Sequence, residues 1–81
     1  MMTKTIYSDS YRALISQLKA ARRHRHLTQE QTGKPCGKGR TWLNKIETCE
    51  VRLDVLDFTR LCRALDLEPG RVIRQLARDI K

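Results

Sequence analysis

The chain has 81 residues, 40% hydrophobic and 32% charged, a balance that suits one folded domain and excludes a disordered tail. Its net charge is +8: up to residue 45 ten basic residues face two acidic ones, and from residue 46 seven face seven, so the whole excess lies in the first part and fits a polyanionic partner. No stretch is long or apolar enough to span a membrane, and the polar start MMTKTIYSDS is not a signal peptide, so a cytoplasmic protein is expected.

Helical spacing recurs along the chain, and no strand alternation is found. Tyr11, Leu14, Ile15, Leu18 and Arg22 fall at i, i+3, i+4, i+7 and i+11 behind the capping residues Ser8, Asp9 and Ser10. This predicts a first helix over 9–24, with residues 1–8 a flexible lead-in. Arg23 to His26 close it with positive charge at the negative end of its dipole. His24 and His26 read as exposed polar residues, not as a metal pair.

Thr28 is a natural N-cap for a second helix, and Gln31, three residues on, completes a capping box. Pro35 and Gly37 keep this helix short. A third helix fits Gly39 to Glu47, with Leu43 and Ile46 facing inward. Asp54 caps a fourth whose inner face is Val55, Phe58, Leu61, Cys62 and Leu65. Glu68-Pro69 starts a fifth, with proline at the first helical position, and its apolar face is Val72, Ile73, Leu76 and Ile80. The expected fold is all-α, a compact single domain of five short helices.

The three cysteines, Cys36, Cys49 and Cys62, are odd in number and form no Cys-x-x-Cys. Neither a disulfide framework nor a zinc site is expected, and no cofactor. Cys36 and Cys62 fit core positions, and Cys49 an exposed one where oxidation could modulate binding.

The stretch GKPCGKG, residues 33 to 39, looks at first like a phosphate cradle. A P-loop needs four residues between its glycines and a Ser or Thr after the lysine. Here three residues separate Gly33 from Gly37, and Gly39 follows Lys38. No apolar strand precedes the glycines either. The layout of Leu27 to Glu47 is instead helix, glycine turn, helix, with Gly37 at the reversal. The second of these helices presents Arg40, Thr41, Asn44 and Lys45 on one outer face, which is a helix-turn-helix arrangement.

Leu27-Thr28-Gln29-Glu30, Gly37, Lys45-Ile46-Glu47 and Ala64-Leu65-Asp66-Leu67-Glu68-Pro69, with Arg52 to Phe58 between them, resemble the lambda Cro/CI-like (XRE) repressors. The resemblance runs without a gap from about Tyr11 to Leu76. It implies a lambda-repressor-like domain that binds double-stranded DNA. Arg40, Thr41 and Lys45 would face base edges, with Asn44 beside them, and Gln29, Lys38, Trp42 and Arg52 would lie near phosphates. Gln29 would also brace the recognition helix. Arg22 and Glu47 stand at positions that pair in several members. The resemblance also implies a homodimer, for which the fifth helix, with Val72, Ile73, Leu76 and Ile80, is the candidate contact.

The chain departs from that pattern. Members usually have Leu-Ala where this chain has Thr32-Gly33, lack a proline at Pro35, have leucine at Cys36 and often have glycine at Cys49. Proline inside a helix costs ~3 kcal/mol and glycine ~1 kcal/mol relative to alanine. A short, distorted first motif helix and a less well braced recognition helix are therefore expected. The reading is a sequence-specific transcriptional regulator, a repressor of a near-palindromic operator. The alternative is a protein-binding module, antirepressor or antitoxin-like, on a degenerate helix-turn-helix frame. No catalytic dyad, nucleophile with a base, or metal cluster is visible, so no enzyme is expected.

Overall fold

The computed structural model describes residues 8–80. Five α-helices follow one another: α1 Asp9–His24, α2 Gln29–Gly33, α3 Arg40–Glu47, α4 Val55–Ala64 and α5 Pro69–Asp79. A short 3₁₀ turn, Lys34–Cys36, extends α2, and no strand occurs among the described residues. Of the lead-in over 1–8, all but Ser8 lie outside the described residues; Ser8 accepts a hydrogen bond from the Tyr11 N–H and caps α1.

Side-chain caps begin four of the helices. Thr28 makes the full capping box with Gln31, its hydroxyl accepting from the Gln31 N–H at 3.0 Å and its own N–H donating to Gln31 Oε1 at 2.9 Å. Asp54 caps α4, and Glu68 accepts from the Gly70 and Arg71 N–H groups ahead of Pro69 in α5. Each satisfies donors that the first turn leaves without intrahelical partners.

One core joins the helices. Leu14, Ile15 and Leu18 of α1 meet Leu43 and Ile46 of α3, and Phe58, Leu61 and Cys62 of α4 close over them with Leu65 and Val72. Val72 is only 5% exposed, so the expected dimer contact through it is corrected: its side chain belongs to the core. Ile73 and Ile80, at 46% and 57% exposure, stay on the surface, and Leu76 is half-buried. Val55, placed by the spacing on the inner face of α4, is 78% exposed instead. It is the first residue of α4, ahead of the turn that meets the core.

Four chain reversals share one geometry. A residue at the helix end takes a positive φ: His26 (58°), Cys49 (61°) and Asp66 (59°) just after their caps, and Gly37 (75°) as the cap of the 3₁₀ turn. In each case the next N–H reaches back five residues, from Leu27 to the Arg22 carbonyl, Lys38 to Gly33, Glu50 to Lys45 and Leu67 to Cys62, at 2.8–3.1 Å. This is the Schellman closure. Only Gly37 uses the residue that the left-handed conformation favours.

The middle of the motif differs from the sequence expectation in its energetics. Pro35 falls in the 3₁₀ turn, beyond the end of α2, where no α-helical bond requires its N–H. Thr32, 1% exposed, has its hydroxyl satisfied by the Thr28 carbonyl at 3.0 Å. A Cβ on Gly33 would stand 2.7 Å from the Gly39 carbonyl oxygen. The cost assigned to glycine here is thus misplaced, because alanine would force the turn apart.

Candidate nucleic-acid interface

The third helix, α3, divides cleanly. Leu43 and Ile46 are 1% exposed, whereas Arg40, Thr41, Asn44 and Lys45 all lie exposed on the outer side. An eight-residue helix is about 12 Å long, which a major groove admits. Its outer side offers two cations, a hydroxyl with a methyl, and a carboxamide, groups able to address base edges. Thr48 follows at the C-terminal end, its hydroxyl donating to the Asn44 carbonyl at 2.9 Å.

Beneath this face α3 is held from three directions. Arg22 of α1 grips Glu47 as a fork, Nε to Oε2 at 2.7 Å and Nη2 to Oε1 at 3.1 Å. Its third nitrogen, Nη1, donates to the Leu27 carbonyl at 2.7 Å, so one guanidinium ties α1, the α1–α2 turn and α3. The pair is nearly buried, with side chains 12% and 5% exposed, where a charge-assisted fork gives both strength and direction. From α2, the Gln29 amide donates to Glu47 Oε1 at 2.9 Å and to Asn44 Oδ1 at 3.2 Å. Gln29 therefore braces α3 in this structure, half-buried as it is.

The third tie was not legible in the sequence. Gly39 N-caps α3 but has no side chain, and the Glu30 carboxylate of α2 accepts from the Arg40 N–H at 3.1 Å instead. An acid here also faces the positive end of the α3 dipole. Its only advance signal is the bare glycine cap, which leaves donors that some distant group must satisfy. Likewise the Tyr11 hydroxyl accepts from the Leu53 N–H at 3.0 Å and tethers the α3–α4 loop to α1. The first motif helix is short, as expected, five residues running into a 3₁₀ turn, and these contacts nevertheless hold α3 to α1 and α2.

The remaining candidates lie around the rim. Lys38 sits in the turn with its ammonium 5.9 Å from the centre of the Trp42 ring, a cation–π contact, and Trp42 itself is half-buried against the core. Arg52 is exposed in the loop before α4. Val72, Ile73, Leu76 and Ile80 lie on α5 and its C-cap, apart from this face. Cys49 is half-buried against the core, which corrects the expectation of an exposed thiol. Burial pushes the Cys62 thiol up to about 11 and also raises that of Cys36.

Two helices joined by a tight glycine turn, the second braced from behind and polar in front, define a helix-turn-helix DNA-binding protein. A family model described as a helix-turn-helix domain matches residues 13–78, and the chain belongs to that family. Among solved structures, an XRE-family like protein from Pseudomonas syringae pv. tomato str. DC3000 is similar, with 29% identity, 89% of this chain and 88% of that chain covered, and a TM-score of 0.81. None of the curated proteins matches the chain. The protein is an XRE-type helix-turn-helix regulator that binds DNA. No helix among the described residues is long and apolar enough to cross a membrane.

Proposed function

We propose that the chain is a transcriptional repressor that binds a near-palindromic operator as a homodimer, with α3 in the major groove. The observation that carries this reading is the exposed row Arg40, Thr41, Asn44 and Lys45 over the buried Leu43 and Ile46. Arg40 and Lys45 suit guanine O6 and N7, and the Thr41 methyl suits that of thymine. Lys38, Trp42 and Arg52 would bear on phosphates and fix register, and Gln29, whose side-chain NH₂ is taken up by Glu47 and Asn44, would add a phosphate contact through its backbone N–H at the start of α2.

Dimerisation would use the apolar side of α4 and α5. Val55, Leu56, Ile73 and Ile80 are between 46% and 78% exposed there. A groove of about 680 Å³ lies among α1, α4 and α5, walled by Leu14, Phe58, Ile73 and Leu76. Exposed apolar surface of this kind marks an interaction site. Paired copies would place their recognition helices on half-sites one helical turn, ~34–36 Å, or a multiple apart.

Binding to a random-duplex library at physiological salt, with sequencing of the retained DNA, tests the reading. A palindrome with a fixed half-site spacing is the expected result. Retention without enrichment would reduce the protein to a non-specific basic binder. No retention would leave the apolar α4–α5 face and a protein partner as the alternative.

A further inference from the structure

The hydrogen bonds beneath α3 have a direction that can be followed outward from the core. The Arg22 guanidinium can only donate, and the Glu47 carboxylate it grips can only accept. Gln29 makes the next contact, 2.9 Å from Glu47 Oε1. A carbonyl oxygen has nothing to offer a carboxylate, so the end of the Gln29 amide that faces Glu47 is its NH₂. The same nitrogen contacts Asn44 at 3.2 Å. A donor there demands an acceptor, so Asn44 turns Oδ1 inward. Its Nδ2 is then the end left for the outer face, where Asn44 is exposed.

We propose that the series Arg22, Glu47, Gln29 fixes Asn44 as a hydrogen-bond donor toward the major groove, so that Asn44 favours an acceptor edge and prefers guanine over cytosine at one base pair of each half-site. This rests on the reading that α3 enters the groove. An unconstrained asparagine exposes both a carbonyl and an NH₂ and, by turning over, suits a donor or an acceptor edge. Here turning over would set two NH₂ groups against each other. Guanine offers two acceptors, N7 and O6, in the groove, whereas cytosine offers only its N4 donor. Gln29 is thus a positioning residue that acts on base choice through Asn44.

Library selection with the full chain and three variants tests this. Asn44→Ala identifies the base pair, because selection disappears there and persists elsewhere. The wild type is expected to favour guanine over cytosine at that pair by about tenfold. Gln29→Ala is expected to bring that ratio to about one, while preferences set by other α3 residues persist even if affinity falls by a common factor. A weakened fold would not alter one position alone. Gln29→Glu offers Asn44 an acceptor, so Nδ2 turns inward, Oδ1 faces out and preference moves toward cytosine; should that variant fail to fold, Gln29→Ala decides alone. A guanine preference unchanged in Gln29→Ala, or a wild-type preference for cytosine at the Asn44 pair, overturns the proposal while leaving the DNA-reading function standing. A wild-type library with no enrichment at all removes both.

Discussion

At Gly33 a methyl group has nowhere to go. The Gly39 carbonyl oxygen, 2.7 Å from where a Cβ would stand, is backbone and cannot rotate away. Gly33→Ala should therefore destabilise the domain by about 1–3 kcal/mol, the range for overpacking, against the ~1 kcal/mol gain that helix propensity alone would give. Urea unfolding decides between these signs. The sequence suggested the wrong sign because propensity is local, while the approach of Gly39 is made by the turn. The cysteines supply a second expectation. Burial raises the Cys36 and Cys62 thiols, so iodoacetamide at pH 8 should label Cys49 in the folded protein and the other two only on unfolding. A folded pKa pushed by burial from the ordinary thiol range to about 11 makes the protonated thiol the form the fold favours. That contribution is complete below about pH 9 and is lost as pH climbs through about 11. Cys62→Ala should lower stability at neutral pH, by leaving a cavity, yet flatten the decline between those values in a series of unfolding curves.

The helix ends show which elements were legible in advance. Four of the five expected starts, Ser8, Thr28 with Gln31, Asp54, and Glu68 before Pro69, signal themselves through local chemistry and cap their helices, whereas Gly39 before α3 has no side chain to do so. The endings are less visible, because three of the four left-handed positions carry His26, Cys49 and Asp66 in place of glycine. A left-handed residue with a Cβ costs ~1–2 kcal/mol. Cys49→Gly and His26→Gly should each raise stability by about 1 kcal/mol, or several degrees in Tm for a domain of this size, and thermal melts of the single and double variants check both gains. The Arg22–Glu47 fork belongs to this scale as well. It was suggested by resemblance alone; its third bond to Leu27 and its link to Gln29 depend on the packing of three helices. Removing one partner leaves a buried charge unmatched, so Arg22→Ala should cost about 3–5 kcal/mol. Replacing both by apolar residues, Arg22→Met with Glu47→Leu, should cost less than the single change in a double-mutant cycle.

Over the whole molecule, the charge is arranged for its partner. The excess of +8 lies in residues 1–45, the part that includes α1, α2 and the turn before α3. Association with DNA should therefore weaken as salt rises, with a slope set by the phosphates neutralised. The fold class and the polar face of α3 could be read from spacing, because periodicity reports burial directly. The partition of α5 could not: Val72 and Ile73 are adjacent and equally apolar, and only the packing of α5 against the core buries one and leaves the other exposed. Ile73→Asp should consequently leave the fold intact and remove the proposed self-association in sedimentation, whereas Val72→Asp should unfold the chain.

The most direct test of the DNA-reading face is a fluorescence titration of the selected duplex and a shuffled one with the wild type and Arg40→Ala. A specific reader holds the selected duplex more tightly, and loss of Arg40 should cost about 1–3 kcal/mol on that duplex and little on the shuffled one. Equal affinity of both proteins for both duplexes would contradict the assignment of α3 as the element that reads sequence.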